Sequence, residues 1–269
     1  MQIIDAHIHV WTDDFANYPI AEGYAVAEMV PPTFTPEELL SYSQPCGVER
    51  IVLVQMSYYG TDNSYMLDTM ARFPGIFGGI AVIDELAGEV EVEMDRLGAL
   101  GVRGFRLQPR EGSFEGYARM FAHAAQSGQA MCCLMNPIEL PSLERLCEAY
   151  PATTVVIDHL CRIGVSGQVE EAEVAALCAM AKHPKVQVKV SAFYALGSKR
   201  APYDDLLPLI ERVYEAFGAR RLLWATDCPY QVQTATYEDS LSLVRDRVQW
   251  QSDEDRAWVL GGTAAETFL

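Results

Sequence analysis

Apolar and polar positions along this chain alternate with two different periods, and the switch between them recurs eight times. Short apolar or β-branched runs occur at 2–7, 51–55, 76–82, 102–108, 130–135, 153–159, 186–191 and 222–227. Between and after them lie segments with apolar residues three and four positions apart, at 36–43, 63–73, 89–100, 114–127, 140–150, 169–182, 204–217 and 237–248. Thr35 before Pro36, and Ser113, are N-cap residues by type, while Gly98, Gly101, Gly128 and Gly218 close helices or open strands. Eight such units predict an α/β protein, a closed parallel (β/α)8 TIM barrel forming a single domain over residues 1–269. The competing doubly wound sheet lacks its mark, because no strand is followed by Gly-x-Gly-x-x-Gly.

The first run carries unusual cargo. Asp5, His7 and His9 occupy alternate positions of a β-branched strand, so they are expected to share one face, with the two imidazoles spaced to grip one metal ion or one substrate oxygen. A lone His-x-His is weak evidence. Barrel geometry supplies a stronger filter, since the chemistry of this fold sits at the C-terminal ends of the strands. Arg106 and Gln108 end the fourth strand, His159 the sixth and Asp227 the eighth, while Lys189 and Ser191 share a face of the seventh. Asp158, alternating with His159, is expected to point away from the site and to be structural. Asp5 is expected deeper on the face of His7, orienting an imidazole. His123, within a helix, and His183, at a helix end, take structural readings.

One long connection, residues 10–35, follows the first strand and carries Trp11, Phe15, Tyr18 and Tyr24. It reads either as a wall or lid of the catalytic mouth or as aromatics packed on the rim.

Composition narrows the function without naming it. Half of the 269 residues are hydrophobic, ample for a large core, and no apolar run reaches the roughly 18 residues of a membrane span. A formal net charge of -17 argues against nucleic-acid binding. Seven cysteines without a framework spacing fit a reducing compartment. The chain opens on a strand-like segment without a basic leader, so the expected location is cytoplasmic.

The motifs Asp5-Ala6-His7-Ile8-His9-Val10-Trp11, Asp158-His159-Leu160 and Ala225-Thr226-Asp227-Cys228-Pro229 together resemble the amidohydrolase superfamily, in the branch that includes 2-pyrone-4,6-dicarboxylate lactonase and the sugar lactonases. The resemblance runs from the first strand to the closing Ala264-Ala265-Glu266-Thr267-Phe268. It implies that His7, His9, His159 and Asp227 form the catalytic constellation, and also any metal site, with Asp227 handling protons. Two-metal members carry a Lys or Glu on strand four and a His on strand five, where this chain has Arg106, Gln108 and Met135-Asn136, so no dinuclear centre is expected. Lactonases of the branch occur with and without a metal. One divalent ion such as Zn2+, weakly or optionally bound, is the expectation here.

The expected reaction is hydrolysis of a small carboxylated or sugar-derived lactone, with Asp227 activating water and the imidazoles stabilising the oxyanion. Arg106, Arg110, Arg162 and Lys189 are candidates to hold a substrate carboxylate, Arg106 and Lys189 foremost, with Gln108, Trp11 and Tyr194 completing the substrate contacts. The partner is then a small molecule rather than nucleic acid or membrane, and a homo-oligomer is left open. Two alternatives stand beside this reading: a metal-dependent decarboxylase or hydratase of an unsaturated dicarboxylic acid, and a non-catalytic ligand-binding barrel.

Overall fold

A computed structural model describes residues 2–269 and places every expected strand in one sheet. The strands are β1 (Ile3–Ile8), β2 (Val48–Val54), β3 (Phe77–Ala81), β4 (Val102–Leu107), β5 (Ala130–Cys133), β6 (Val155–Ile157), β7 (Val186–Val190) and β8 (Leu222–Trp224). They run in sequential order, each parallel to the next. The barrel closes between β8 and β1 through a bridge of Ile8 with Cys228 and two backbone bonds, Asp227 N–H to the His7 carbonyl (3.0 Å) and His9 N–H to the Cys228 carbonyl (2.9 Å). β6 and β8 end before their apolar runs do, and the backbone turns left-handed at His159 and at Asp227.

The helices follow the three- and four-residue spacing. Thr35 caps the helix Pro36–Ser43 by accepting the Glu38 N–H, with proline in the first turn where no hydrogen is needed. The helix Leu207–Phe217 buries Leu209, Ile210, Val213, Tyr214 and Phe217, a single stripe laid against the sheet.

The barrel interior is a second apolar cluster, separate from the layer beneath the helices; Ile4, Val52, Ile80, Cys132, Val156 and Leu223 belong to it. Its N-terminal end is stoppered by the helix Thr263–Phe268, a role the sequence pattern did not disclose. Ala264 and Phe268 join the interior cluster, and Thr267 Oγ1 donates to Gln187 Oε1 at 3.1 Å. Gly78 permits this closeness: a β-carbon there would lie 2.9 Å from the Phe268 carbonyl oxygen.

Residues 10–35 do both things the sequence allowed. Trp11 pairs through its backbone with Phe34, donates Nε1–H to the Pro31 carbonyl at 2.9 Å and packs edge-on against Tyr58, so its end of the loop lies on the rim. Ala21, Glu22 and Tyr24 instead form part of the cavity wall.

Candidate active site

The site begins with an irregularity in β1. Ile4 and Ala6 point into the barrel, yet the register against β2 shifts between Asp5 and Ile8, and His7 and His9 then point inward in their turn. This slip moves Asp5 to the opposite face, away from the imidazoles. Its carboxylate accepts from Thr226 N–H (3.1 Å), Thr226 Oγ1 (2.6 Å), Tyr237 O–H (2.7 Å) and the His7 backbone N–H (3.1 Å), binding the seam between β1 and β8. The expectation that Asp5 lies below His7 on a shared face is thereby corrected.

His7, His9, His159 and Asp227 converge at the C-terminal mouth. Asp227 Oδ1 lies 3.5 Å from His7 Nε2 and 3.4 Å from His9 Nε2, and Oδ2 lies 3.8 Å from His159 Nε2. Tyr194 donates to Oδ2 at 2.7 Å. The backs of two imidazoles are anchored: His9 Nδ1 to the Val54 carbonyl (2.8 Å) and His159 Nδ1 to Ser191 Oγ (2.8 Å). Asp227 and His159 both have left-handed backbones, and His159 opens a run of four such residues, His159, Leu160, Cys161 and Arg162, with φ of 54, 50, 56 and 57°. Each non-glycine residue in that conformation costs about 1–2 kcal/mol, so the surrounding packing holds this corner against its own backbone preference.

Above the cluster opens a cavity of about 1050 Å³. Arg106, Gln108, His9, His159, Asp227 and Tyr194 line it, and so do Arg110, Arg162 and Tyr230. Two expected substrate contacts do not. Trp11 is packed behind the wall among Phe34, Tyr58 and Tyr230, and Lys189 is sealed beneath His7 with no exposed surface. Lys189 Nζ lies 3.0 Å from Asp158 Oδ1 and 3.0 Å from His7 Nδ1. Asp158 therefore also faces inward, correcting its expected outward placement. It shares the parity of Val156 in the barrel interior, and His159 reaches the mouth only because the chain turns left-handed there. Arg110 forms an ion pair with Glu85, whereas Arg162 has no ion-pair partner among the described residues.

Burial and charge set the protonation states. Burial pushes His7 well below the usual imidazole range, and the nearby Lys189 adds to that. Burial likewise takes His159 down to about 4, with Asp227 and Asp158 opposing. Asp227 would be raised by its burial, but the three imidazoles outweigh this and hold it well below its ordinary value. Asp158 is held low in the same manner, burial being overcome by Lys189, His7 and Arg106. At neutral pH the mouth thus presents an ionised Asp227 beside neutral His7 and His159.

The sequence matches the amidohydrolase family over residues 4–269. The chain belongs to that family. This amidohydrolase is 28% identical over 233 residues to the 4-sulfomuconolactone hydrolase of Hydrogenophaga intermedia, covering 84% of this chain and 74% of that one. It is 27% identical over 243 residues to the L-fucono-1,5-lactonase of Burkholderia ambifaria, covering 84% and 80%. A crystal structure of an amidohydrolase from Burkholderia multivorans with bound zinc superposes with a TM-score of 0.79 at 22% identity, covering 99% of both chains. Family and relatives together make the chain a hydrolase, the two relatives just described being by name a sulfomuconolactone hydrolase and a lactonase.

The residues at the mouth fit one metal ion by type and spacing. His7, His159 and Asp227 each offer an atom within 4.8 Å of the others, and Asp227 Oδ1 is buried without a hydrogen-bond partner.

Proposed function

We propose that this amidohydrolase hydrolyses a small lactone carrying an anionic substituent. The observation that carries the reading is the meeting of one ionised carboxylate, Asp227, with His9 and His159 on the floor of a cavity, and with the buried His7 beneath them, where the cavity wall holds the guanidiniums of Arg106 and Arg162. Asp227 takes a proton from water, and the hydroxide attacks the lactone carbonyl carbon. The oxyanion that forms is stabilised by donors that line the cavity, the Arg106 guanidinium and the His159 imidazole. Collapse breaks the ring C–O bond, and the proton held by Asp227 returns to the departing alkoxide, leaving a hydroxy acid. Tyr194, donating to Asp227, fixes which carboxylate oxygen faces the water. His7, His159 and Asp227 would hold a single divalent ion, which supplies Lewis acidity when bound. A guanidinium grips a carboxylate or sulfonate through paired charge-assisted hydrogen bonds, which is why Arg106 and Arg162 favour an anionic ring over a neutral one.

A panel of lactones tests this, with muconolactone and pyrone types bearing carboxylate or sulfonate set against neutral sugar lactones, each assayed with and without chelator alongside metal analysis. Hydrolysis preferring the anionic members is expected. Release of CO2 from a dicarboxylic acid without lactone opening would replace this reading with the decarboxylase, and binding without turnover would replace it with a ligand-binding barrel.

A further inference from the structure

His7 lies in a hydrogen-bond chain whose two ends are fixed by groups that cannot exchange roles. At one end the Val54 carbonyl only accepts, so His9 Nδ1 carries its hydrogen and His9 Nε2 presents a lone pair. That lone pair is 3.2 Å from His7 Nε2. Hydrogen on His7 Nε2 makes the contact a hydrogen bond, whereas a bare Nε2 would set two lone pairs against each other. At the other end the Lys189 ammonium has no lone pair at all. Placed 3.0 Å from His7 Nδ1 and 3.0 Å from Asp158 Oδ1, it forms an ion pair with the carboxylate and donates to Nδ1, which is the bare nitrogen. The two ends require the same tautomer.

Two contacts oppose it. Arg106 Nη1 lies 3.1 Å from His7 Nε2, donor against donor in this tautomer, and Asp158 Oδ1, an acceptor, lies 3.5 Å from the bare Nδ1. Lys189 prevails because it is fully buried and tied to Asp158, while the Arg106 side chain is 10% exposed on the cavity floor and can turn toward a ligand. Charge leads the same way. Lys189 and Arg106 balance Asp158 and Asp227, so a divalent ion would bring two uncompensated charges into a buried, already neutral site.

We propose that Lys189 is a positioning residue that keeps the hydrogen of His7 on Nε2, the nitrogen 3.5 Å from Asp227 Oδ1, and that Lys189 with Arg106 thereby holds the affinity of His7, His159 and Asp227 for a divalent ion low. Neither the wiring nor the metal affinity rests on the lactonase reading, and both are measured without turnover.

The chain has five histidines, few enough for long-range ¹H–¹⁵N correlation spectra of ¹⁵N-histidine protein to resolve each ring, with His7 assigned by its absence in His7→Gln. The expected wild-type spectrum has His7 protonated at Nε2 alone. In Lys189→Met that preference is lost, and zinc titrated calorimetrically into metal-free protein binds more tightly by roughly ten- to a hundredfold, the usual scale for groups that tune a metal site through its ligands. Should Lys189→Met fail to fold, because Asp158 is left buried and unpaired, Lys189→Met combined with Asp158→Asn removes both charges together and is expected to lose the Nε2 preference likewise. A wild-type His7 protonated at Nδ1 overturns the proposal. So does a folded Lys189→Met protein that binds zinc no more tightly than wild type, or a double variant that keeps the wild-type tautomer.

Discussion

Asp227 shows how a single residue can be named from sequence while its surroundings cannot. The strand-end rule located it, yet the three imidazoles that lower its pKa come from β1 and from the turn after β6. Asp227→Asn keeps the shape and loses the proton acceptor, so kcat should fall by roughly 10²- to 10⁴-fold with the thermal midpoint little changed. Retained turnover would remove it as the base. Arg106→Lys keeps charge but not the two-pronged donor. For an anionic lactone kcat/KM should drop by roughly one to three powers of ten, the loss of a charge-assisted bond worth about 1.5–3 kcal/mol, and a neutral lactone should lose far less. Equal losses on both would tie Arg106 to His7 rather than to a substrate anion. Asp158 was misplaced because alternation was counted from His159, whose inward aim comes from a left-handed turn; counted from Val156, the same rule points Asp158 inward.

At the scale of elements, the seam between β1 and β8 joins two stretches more than 200 residues apart, and Asp5 is its fastener. Four donors converge on that carboxylate, so an amide in its place must turn an N–H toward at least one of them. Asp5→Asn is expected to cost about 1–3 kcal/mol in urea unfolding, through a buried polar group left unsatisfied. Activity should fall with it, since His7 and Asp227 flank the seam. An unfolding midpoint equal to wild type would show the fastener to be dispensable. The strand period announced β1, but the slip that places Ala6 and His7 on one side is a matter of pairing with β2, which no single run of residues encodes.

For the molecule as a whole, eightfold alternation was readable because each element obeys a local period; the floor under the barrel was not, because the helix Thr263–Phe268 is short and its partners are scattered over the strands. The cysteines make the same contrast measurable. All seven are unpaired; Cys46 and Cys178 are partly exposed and the other five are buried. Burial pushes the thiols of Cys132 and Cys147 up to about 12. An aromatic disulfide reagent at pH 8 should therefore titrate two thiols quickly in the native protein and seven once it is denatured. Rapid reaction of a third would mean that the barrel opens on that timescale.

The left-handed corner after β6 bears finally on how freely this protein can change. Glycine would adopt those four backbone conformations without strain, but every position is already spoken for: His159 and Arg162 line the cavity, and Leu160 and Cys161 are wholly buried. No one-step replacement relaxes the backbone without surrendering chemistry or packing. A saturation scan scored for both folding and turnover should find these four neighbouring codons among the least permissive in the gene.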